Sequence, residues 1–178
     1  MDTKTENFYH VLRSRRSVRQ YTDRDIAPEV LGRILEAGRM AASAANCQPW
    51  HFIVIDRQNP KREEINAVFY KDGFKKAPVV IAACAEPAKA WVRKNDGVNY
   101  AWVDVTIAVT EMILAATAEG VGSCWVASFD LDKAIEVLHI PDGMELVTLL
   151  TLGYPEEPLD ERKKDRKAGD QIFHAGEW

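Results

Sequence analysis

The chain has 178 residues, of which 47% are hydrophobic and 28% charged, with a formal net charge of -4 at pH 7. That length suggests one domain able to bury its own core, and the composition is that of a soluble globular protein. The acidic balance argues against a general nucleic-acid binder, and three cysteines (Cys47, Cys84, Cys124) without a CxxC argue against a disulfide framework or zinc site.

The polar start, Met1 to Arg13, lacks the apolar stretch of a secretory signal, and no uninterrupted apolar run reaches membrane-spanning length. The expected location is therefore the cytoplasm, with no membrane partner. Phe8, Val11 and Leu12, spaced i, i+3, i+4, predict a short amphipathic helix that runs into Arg13-Ser-Arg-Arg-Ser-Val-Arg19. Pro28 stands at the first position of a second helix, with Val30, Leu31, Ile34, Leu35 and Gly38 as its apolar stripe. Ala41 to Pro49 is small and polar and reads as a loop. Trp50 to Asp56 is rich in aromatic and β-branched residues and reads as a strand. Glu63 to Tyr70 predicts a helix and Pro78 to Ala85 an apolar strand. Cys84 and Cys124 lie in such apolar runs and read as small buried hydrophobes.

Glu86 to Asn99, around Trp91, is a loop or lid. Tyr100 to Glu119 is the longest helical candidate; Val105, Val109, Met112, Ile113 and Ala116 give it a broad apolar face, suited to a domain centre or an interface. Gly120-Val-Gly122 ends it. Ser123 to Ser128 is a short strand, Asp130 caps a helix running to His139, Pro141-Asp-Gly143 is a turn, and Glu145 to Gly153 is a strand. Beyond Tyr154-Pro155 the chain becomes highly charged through Asp170, as in a surface-lying tail, and Ile172 and Phe173 suggest one last short strand. The loose alternation of helices and few strands fits an α+β or α/β domain, and there is no internal repeat.

Four segments carry chemistry. Arg13, Arg15, Arg16 and Arg19, interleaved with Ser14 and Ser17, have the donors to grip a phosphate; on the residues alone, a solvated basic face is the stronger reading. In Ser43-Ala-Ala-Asn-Cys-Gln-Pro-Trp50, small residues would let a flat ligand approach the backbone, and Asn46 and Gln48 can donate and accept at a heterocycle's edge; a plain connection with Trp50 in the core fits equally. Gly120-Val-Gly122 follows a helix instead of a strand and lacks the third glycine of a dinucleotide fingerprint. Lys163-Lys-Asp-Arg166-Lys167 could complete a phosphate site or be solvated. Scattered histidines without HExxH disfavour a metal centre. Neither GxSxG nor GxxxxGK[ST] occurs.

In this order, the four segments resemble the nitroreductase family of FMN enzymes over nearly the whole chain. Arg15-Arg-Ser-Val-Arg19 is similar to the family's N-terminal phosphate motif, and Asn46-Cys-Gln-Pro-Trp-His-Phe52 to its Asn-x-Gln-Pro-Trp-x-Phe segment. Asp104 to Gly122 resembles the long helix followed by Gly-x-Gly, and Gly153-Tyr-Pro155 followed by Lys164-x-Arg166 resembles the C-terminal end. The resemblance implies a single α+β domain over residues 1–178, a three-layer sandwich with a mainly antiparallel central sheet. It implies an intertwined homodimer, with 154–178 as an extension wrapping the partner subunit. FMN would be held by Arg15, Arg16, Ser17, Arg19, Lys164 and Arg166 of one subunit and by Ser43 and Asn46 of the other. Ala127 and Ser128 match the stretch against the flavin ring, where larger members often carry Glu-Gly. The implied activity is transfer of hydride from NADH or NADPH through flavin N5 to a small organic acceptor, nitroaromatic or quinone-like. The chemistry is centred on the flavin, with no catalytic side chain, no metal and no nucleic-acid partner. Alternatives are a flavin-binding or regulatory protein without turnover, and a same-fold dehalogenase or enoate-type reductase.

Overall fold

Val79–Ala85 is apolar throughout and Leu146–Leu152 is apolar but for Thr148 and Thr151; both runs demand cover on both faces, since every side chain in them is buried. In the computed structural model, which describes residues 2–178, they form the middle of one antiparallel sheet. Its strands are β1 (Trp50–Ile55), β2 (Val79–Ala85), β3 (Gly122–Val126) and β4 (Glu145–Gly153), in the order β1-β2-β4-β3. The helices are α1 (Thr3–Ser14), α2 (Pro28–Arg39), α3 (Arg62–Asn66), α4 (Asp72–Lys75), α5 (Ala101–Ala118) and α6 (Leu131–Leu138).

Side chains of β2 alternate between two cores, as the period of two requires. Val80, Ala82 and Cys84 pack with Ile65 of α3, Phe74 of α4 and Ala134 and Val137 of α6. Val79, Ile81, Ala83 and Ala85 pack with Ile34 of α2 and Val105, Val109 and Met112 of α5. Helices on both faces of the sheet make the three-layer α+β sandwich that the resemblance implies. Both buried cysteines are in these cores or at their edge, where burial pushes the Cys84 thiol up to about 11.

Local chemistry sets the helix bounds. Pro28 opens α2. Gly38 lets α2 lie directly on α5, because a Cβ there would stand 2.1 Å from Met112 Cε. By length and composition alone α5 could cross a membrane, yet it lies across the sheet with Val105, Val109 and Met112 fully buried. It ends at Gly120, which takes a positive φ of 71°. Asp130 caps α6 by accepting from the Lys133 N–H at 3.1 Å.

Two expected elements differ. The helix predicted over Glu63 to Tyr70 stops at Asn66. Val68 and Phe69 are both buried, and the Val68 carbonyl accepts from Asp130 N–H, so the chain leaves the helix to bridge Phe129. Ile172 and Phe173 form no strand. A 3₁₀ turn at Gly169–Gln171 precedes them, the Phe173 N–H bonds back to Gly169, and within the described residues no strand lies alongside to supply a ladder.

Arg62 ties the α4 side together. It is 5% exposed and donates to the carbonyls of Ile55, Lys75 and Ala77, joining the end of β1, the end of α4 and the approach to β2. Burial lowers its pKa from the ordinary arginine value. Arg62→Met keeps the bulk and strands these carbonyls. It is expected to lower stability by about 2–3 kcal/mol, measured by denaturant unfolding.

Candidate functional site

The arginine motif is a short extended segment docked on the sheet edge. After α1 ends, the Val18 N–H donates to Ser123 O at 2.8 Å and Ser17 bridges Ser123 in parallel, continuing the sheet past β3. Extended backbone sends alternate side chains to opposite sides. Val18 is buried, and Ser17 and Arg19 are exposed. Tyr21 locks the turn that follows. Its hydroxyl donates to Val18 O at 2.8 Å and lies 2.8 Å from Thr151 Oγ1. Burial pushes this phenol well above its ordinary value, so it stays a neutral donor.

The charged tail returns to the same place. Lys164 Nζ donates to the carbonyls of Leu12 (2.7 Å) and Arg15, at the C-terminal end of α1, where a cation complements the helix dipole. Burial, then the neighbouring Arg15 and Arg166, hold its ammonium below the usual lysine range. A cavity of about 290 Å³ is lined by Arg15, Arg16, Ser17, Lys164 and Arg166, with Arg13, Ser14, Arg162 and Lys163 around them. Arg16, Ser17, Arg19, Gln20, Glu156 and Glu157 line an adjoining one of about 260 Å³. Arg19 also borders a third, of about 190 Å³, with Lys71, Phe74, Cys124, Ala127 and Ser128.

The balance of charge in this run of cavities is positive. Arg13 and Arg162 are neutralised, the first by Glu6 and Glu161 and the second by Glu157 and Asp160. Arg16 has a looser pairing with Glu157 at 3.8 Å, and its buried Nε has no acceptor. Arg15, Arg19, Lys71 and Arg166 form no salt bridge among the described residues. Unpaired guanidinium groups, an unmet buried N–H and a serine hydroxyl make a donor set for a phosphate.

Ser43 and Asn46 lie elsewhere, and none of these cavities includes them. Their loop holds three non-glycine residues in the left-handed region, Ala45 (φ 50°), Asn46 (φ 55°) and Gln48 (φ 50°). Such conformations are unfavourable and persist where surroundings impose them. Asp104, buried on the first turn of α5, accepts from the Ala44 N–H at 3.0 Å. The Ser43 hydroxyl accepts from the Gln48 N–H at 3.0 Å, and Gln48 Nε2 donates to Asn46 Oδ1 at 3.0 Å. Ser43 thus shapes the loop, and Asn46 stands exposed at its tip.

Sequence reasoning missed Lys71 and the placement of Cys124. Lys71 belongs to no motif, and Cys124, expected only as a buried hydrophobe, also borders the cavity beside Arg19. Trp50 and Trp125 are half-buried and pack on the α5 side of the core. The segment after Glu86 is a pinned loop. The Arg93 N–H bonds Val98 O, Tyr100 N–H bonds Trp91 O, Asn99 Nδ2 donates to Pro87 O, and Trp91 packs edge-on against Tyr100.

Comparison with known proteins adds one family match, one relative and two solved structures. The model of the "Nitroreductase family" matches residues 12–72 and 60–154. A protein of Archaeoglobus fulgidus named "Putative NADH dehydrogenase/NAD(P)H nitroreductase" is 30% identical over 97% of this chain and 99% of its own length. Among solved structures, a nitroreductase family protein from Clostridium difficile superposes with a TM-score of 0.86 at 28% identity, over 94% of this chain and 97% of that one. An FMN-dependent nitroreductase from Clostridium difficile superposes with a TM-score of 0.76 at 26% identity, over 96% and 99%.

Asp104 carries the strained loop. Replacing it with Ala is expected to cost about 1–3 kcal/mol and to raise hydrogen exchange at Ala44 to Gln48 while leaving the strands protected.

Proposed function

The chain belongs to the nitroreductase family, and from that premise we propose that it is an FMN-dependent oxidoreductase passing reducing equivalents from NADH or NADPH to a small organic acceptor, nitroaromatic or quinone-like. One observation carries the reading. A run of adjoining cavities brings Arg15, Arg16, Ser17, Lys164 and Arg166 together at one end and Arg19, Ala127 and Ser128 at the other, with several of the cations unpaired. That pattern fits a ligand with a phosphate at one end and a polar ring at the other.

The donor set passes a test of fit on its own chemistry. The buried Nε of Arg16 has no acceptor, and the Lys164 ammonium is disfavoured by burial and then by Arg15 and Arg166, so an anion placed among these cations would be favoured. In this reading Arg15, Arg16, Ser17, Lys164 and Arg166 hold the phosphate and the chain next to it. Arg19 and Lys71 face the ring, where fixed positive charge favours negative charge as it develops. Ala127 and Ser128, exposed just past the end of β3, offer backbone donors to the ring edge. When bound, FMN supplies hydride uptake and release, and the protein supplies orientation and electrostatics.

The proposal includes a homodimer with shared sites. Ser43 and Asn46 lie outside the cation cavities, so they would reach the cofactor from a second copy. Large apolar side chains support an interface: Phe8 and Tyr9 on α1 and Trp102 and Val103 on α5 are exposed, and Phe173 in the tail is 78% exposed. Residues 154–178 would wrap the partner.

An absorbance spectrum of the purified protein before and after anaerobic NADH or NADPH tests the reaction. Flavin bands that bleach with either nucleotide are expected. Flavin bands that persist, with no steady-state nucleotide oxidation above free flavin, would make this a binding protein. Arg15→Ala or Arg19→Ala is expected to weaken FMN binding by about 1.5–3 kcal/mol per lost charged hydrogen bond. Sedimentation should give a dimer, and a stable monomer that binds FMN would contradict the shared site.

A further inference from the structure

We propose that Gly122 is a positioning residue. Its missing side chain leaves a slot that seats Val18, and the seated Val18 sets where Ser17 and Arg19 stand in the cofactor site. The inference rests on the flavin reading above.

The glycines of Gly120-Val-Gly122 do different work. Gly120 takes positive φ and ends α5, whereas Gly122 does not; it is an ordinary β3 residue opposite Gly153. What Gly122 supplies is space. A Cβ there would stand 2.7 Å from Val18 Cγ2 and 3.0 Å from Val18 Cβ, well inside the separation at which carbon atoms attract. Val18 is 1% exposed. Its N–H is held by Ser123 O and its carbonyl by the Tyr21 hydroxyl, each at 2.8 Å. A side chain at position 122 therefore has to push the whole segment outward.

Two more glycines grip the next residues in the same way. A Cβ on Gly73, in α4, would lie 2.3 Å from Arg19 O, and one on Gly153, at the end of β4, would lie 2.8 Å from Tyr21 Cδ1. Three separate elements thus approach residues 18 to 21 at distances only glycine allows. Because neighbouring side chains in an extended segment are rigidly alternate, displacing Val18 displaces Ser17 and Arg19 with it. Ordinary packing would require only that Val18 be covered. A positioning role also requires that cofactor binding follow the fit of the two residues.

The test is a double-mutant cycle on the full-length protein, read by FMN fluorescence titration and by thermal unfolding of the FMN-free chain. Gly122→Ala is expected to weaken FMN binding at least about tenfold, the cost of losing one hydrogen bond to a charged group. Val18→Ala combined with Gly122→Ala removes the 2.7 Å contact with Cγ2, leaving the 3.0 Å approach of the two Cβ atoms, and should bring the affinity back to within about threefold of wild type. Gly32→Ala, where a Cβ meets nothing within 4 Å, should leave binding unchanged. Wild-type affinity in Gly122→Ala overturns the proposal. So does a double variant that recovers thermal stability but not affinity. If Gly122→Ala fails to fold, the double variant must both fold and bind, and its failure to do either overturns the proposal. Absence of FMN binding by the wild type overturns the flavin reading and this inference together; binding that is indifferent to the cycle overturns this inference alone.

Discussion

An 18-residue helix keeps the Ser43–Gln48 loop apart from the arginine cavities. At the helical rise, α5 is about 27 Å long. Near its start, Asp104 holds the Ser43–Gln48 loop. Just past its end, Gly120 turns the chain into β3, against which Ser17 and Val18 dock. Between these points the helix is pressed on the sheet and on α2, with Val105, Ala108, Val109 and Met112 completely buried, so its length is not adjustable. The separation between Asn46 and the arginine cavities is therefore a property of the core. On the proposed reading, the same helix that divides the halves within one chain offers exposed Trp102 and Val103 as part of the surface that would bring in the missing half from a second copy.

Much of the frame was legible because its signals are local. Pro141-Asp-Gly143 and Tyr154-Pro155 bracket a run that is mostly apolar and rich in β-branched residues, and β4 occupies Glu145–Gly153 as read. Pro28 and Asp130 mark helix starts that the structure keeps. The segment after Glu63 was misread because Val68 and Phe69 are claimed by residues around position 130, a long-range event that helical spacing does not encode. Phe173 was misread for the opposite reason: an apolar pair resembles a strand, but a strand exists only where a neighbour completes its hydrogen bonds.

The site was legible in part, and through the order of its motifs more than through any one of them. Ser17-Val18-Arg19 is a single period of alternation, too short to distinguish from a solvated basic run. The deciding fact, Val18 seated against Gly122, joins positions about a hundred residues apart. Lys71 carries no local mark at all; it comes to the cavity because Phe74 is buried beside Cys124 and Gly73 lies on Arg19. Asp104 looks in the sequence like one charge on an apolar helix, and its hydrogen bond to Ala44 appears only when the loop folds back over it.

Charge and strain at the site run against what folding alone would select. Lys164 sits among Arg15 and Arg166 with its ammonium disfavoured, so the folded chain binds that proton less readily than the unfolded chain does. This term opposes folding while the lysine is charged and fades as rising pH removes the proton. A bound anion would reverse its sign and couple ligand binding to stability. The loop shows the same tension in its backbone. Ala45, Asn46 and Gln48 hold left-handed conformations that glycine would adopt at less cost. Glycine would remove the Asn46 and Gln48 amides, which hydrogen-bond to each other at the exposed loop tip. On the proposed reading, this strain is tolerated because the loop presents the Asn46 and Gln48 amides to a ligand.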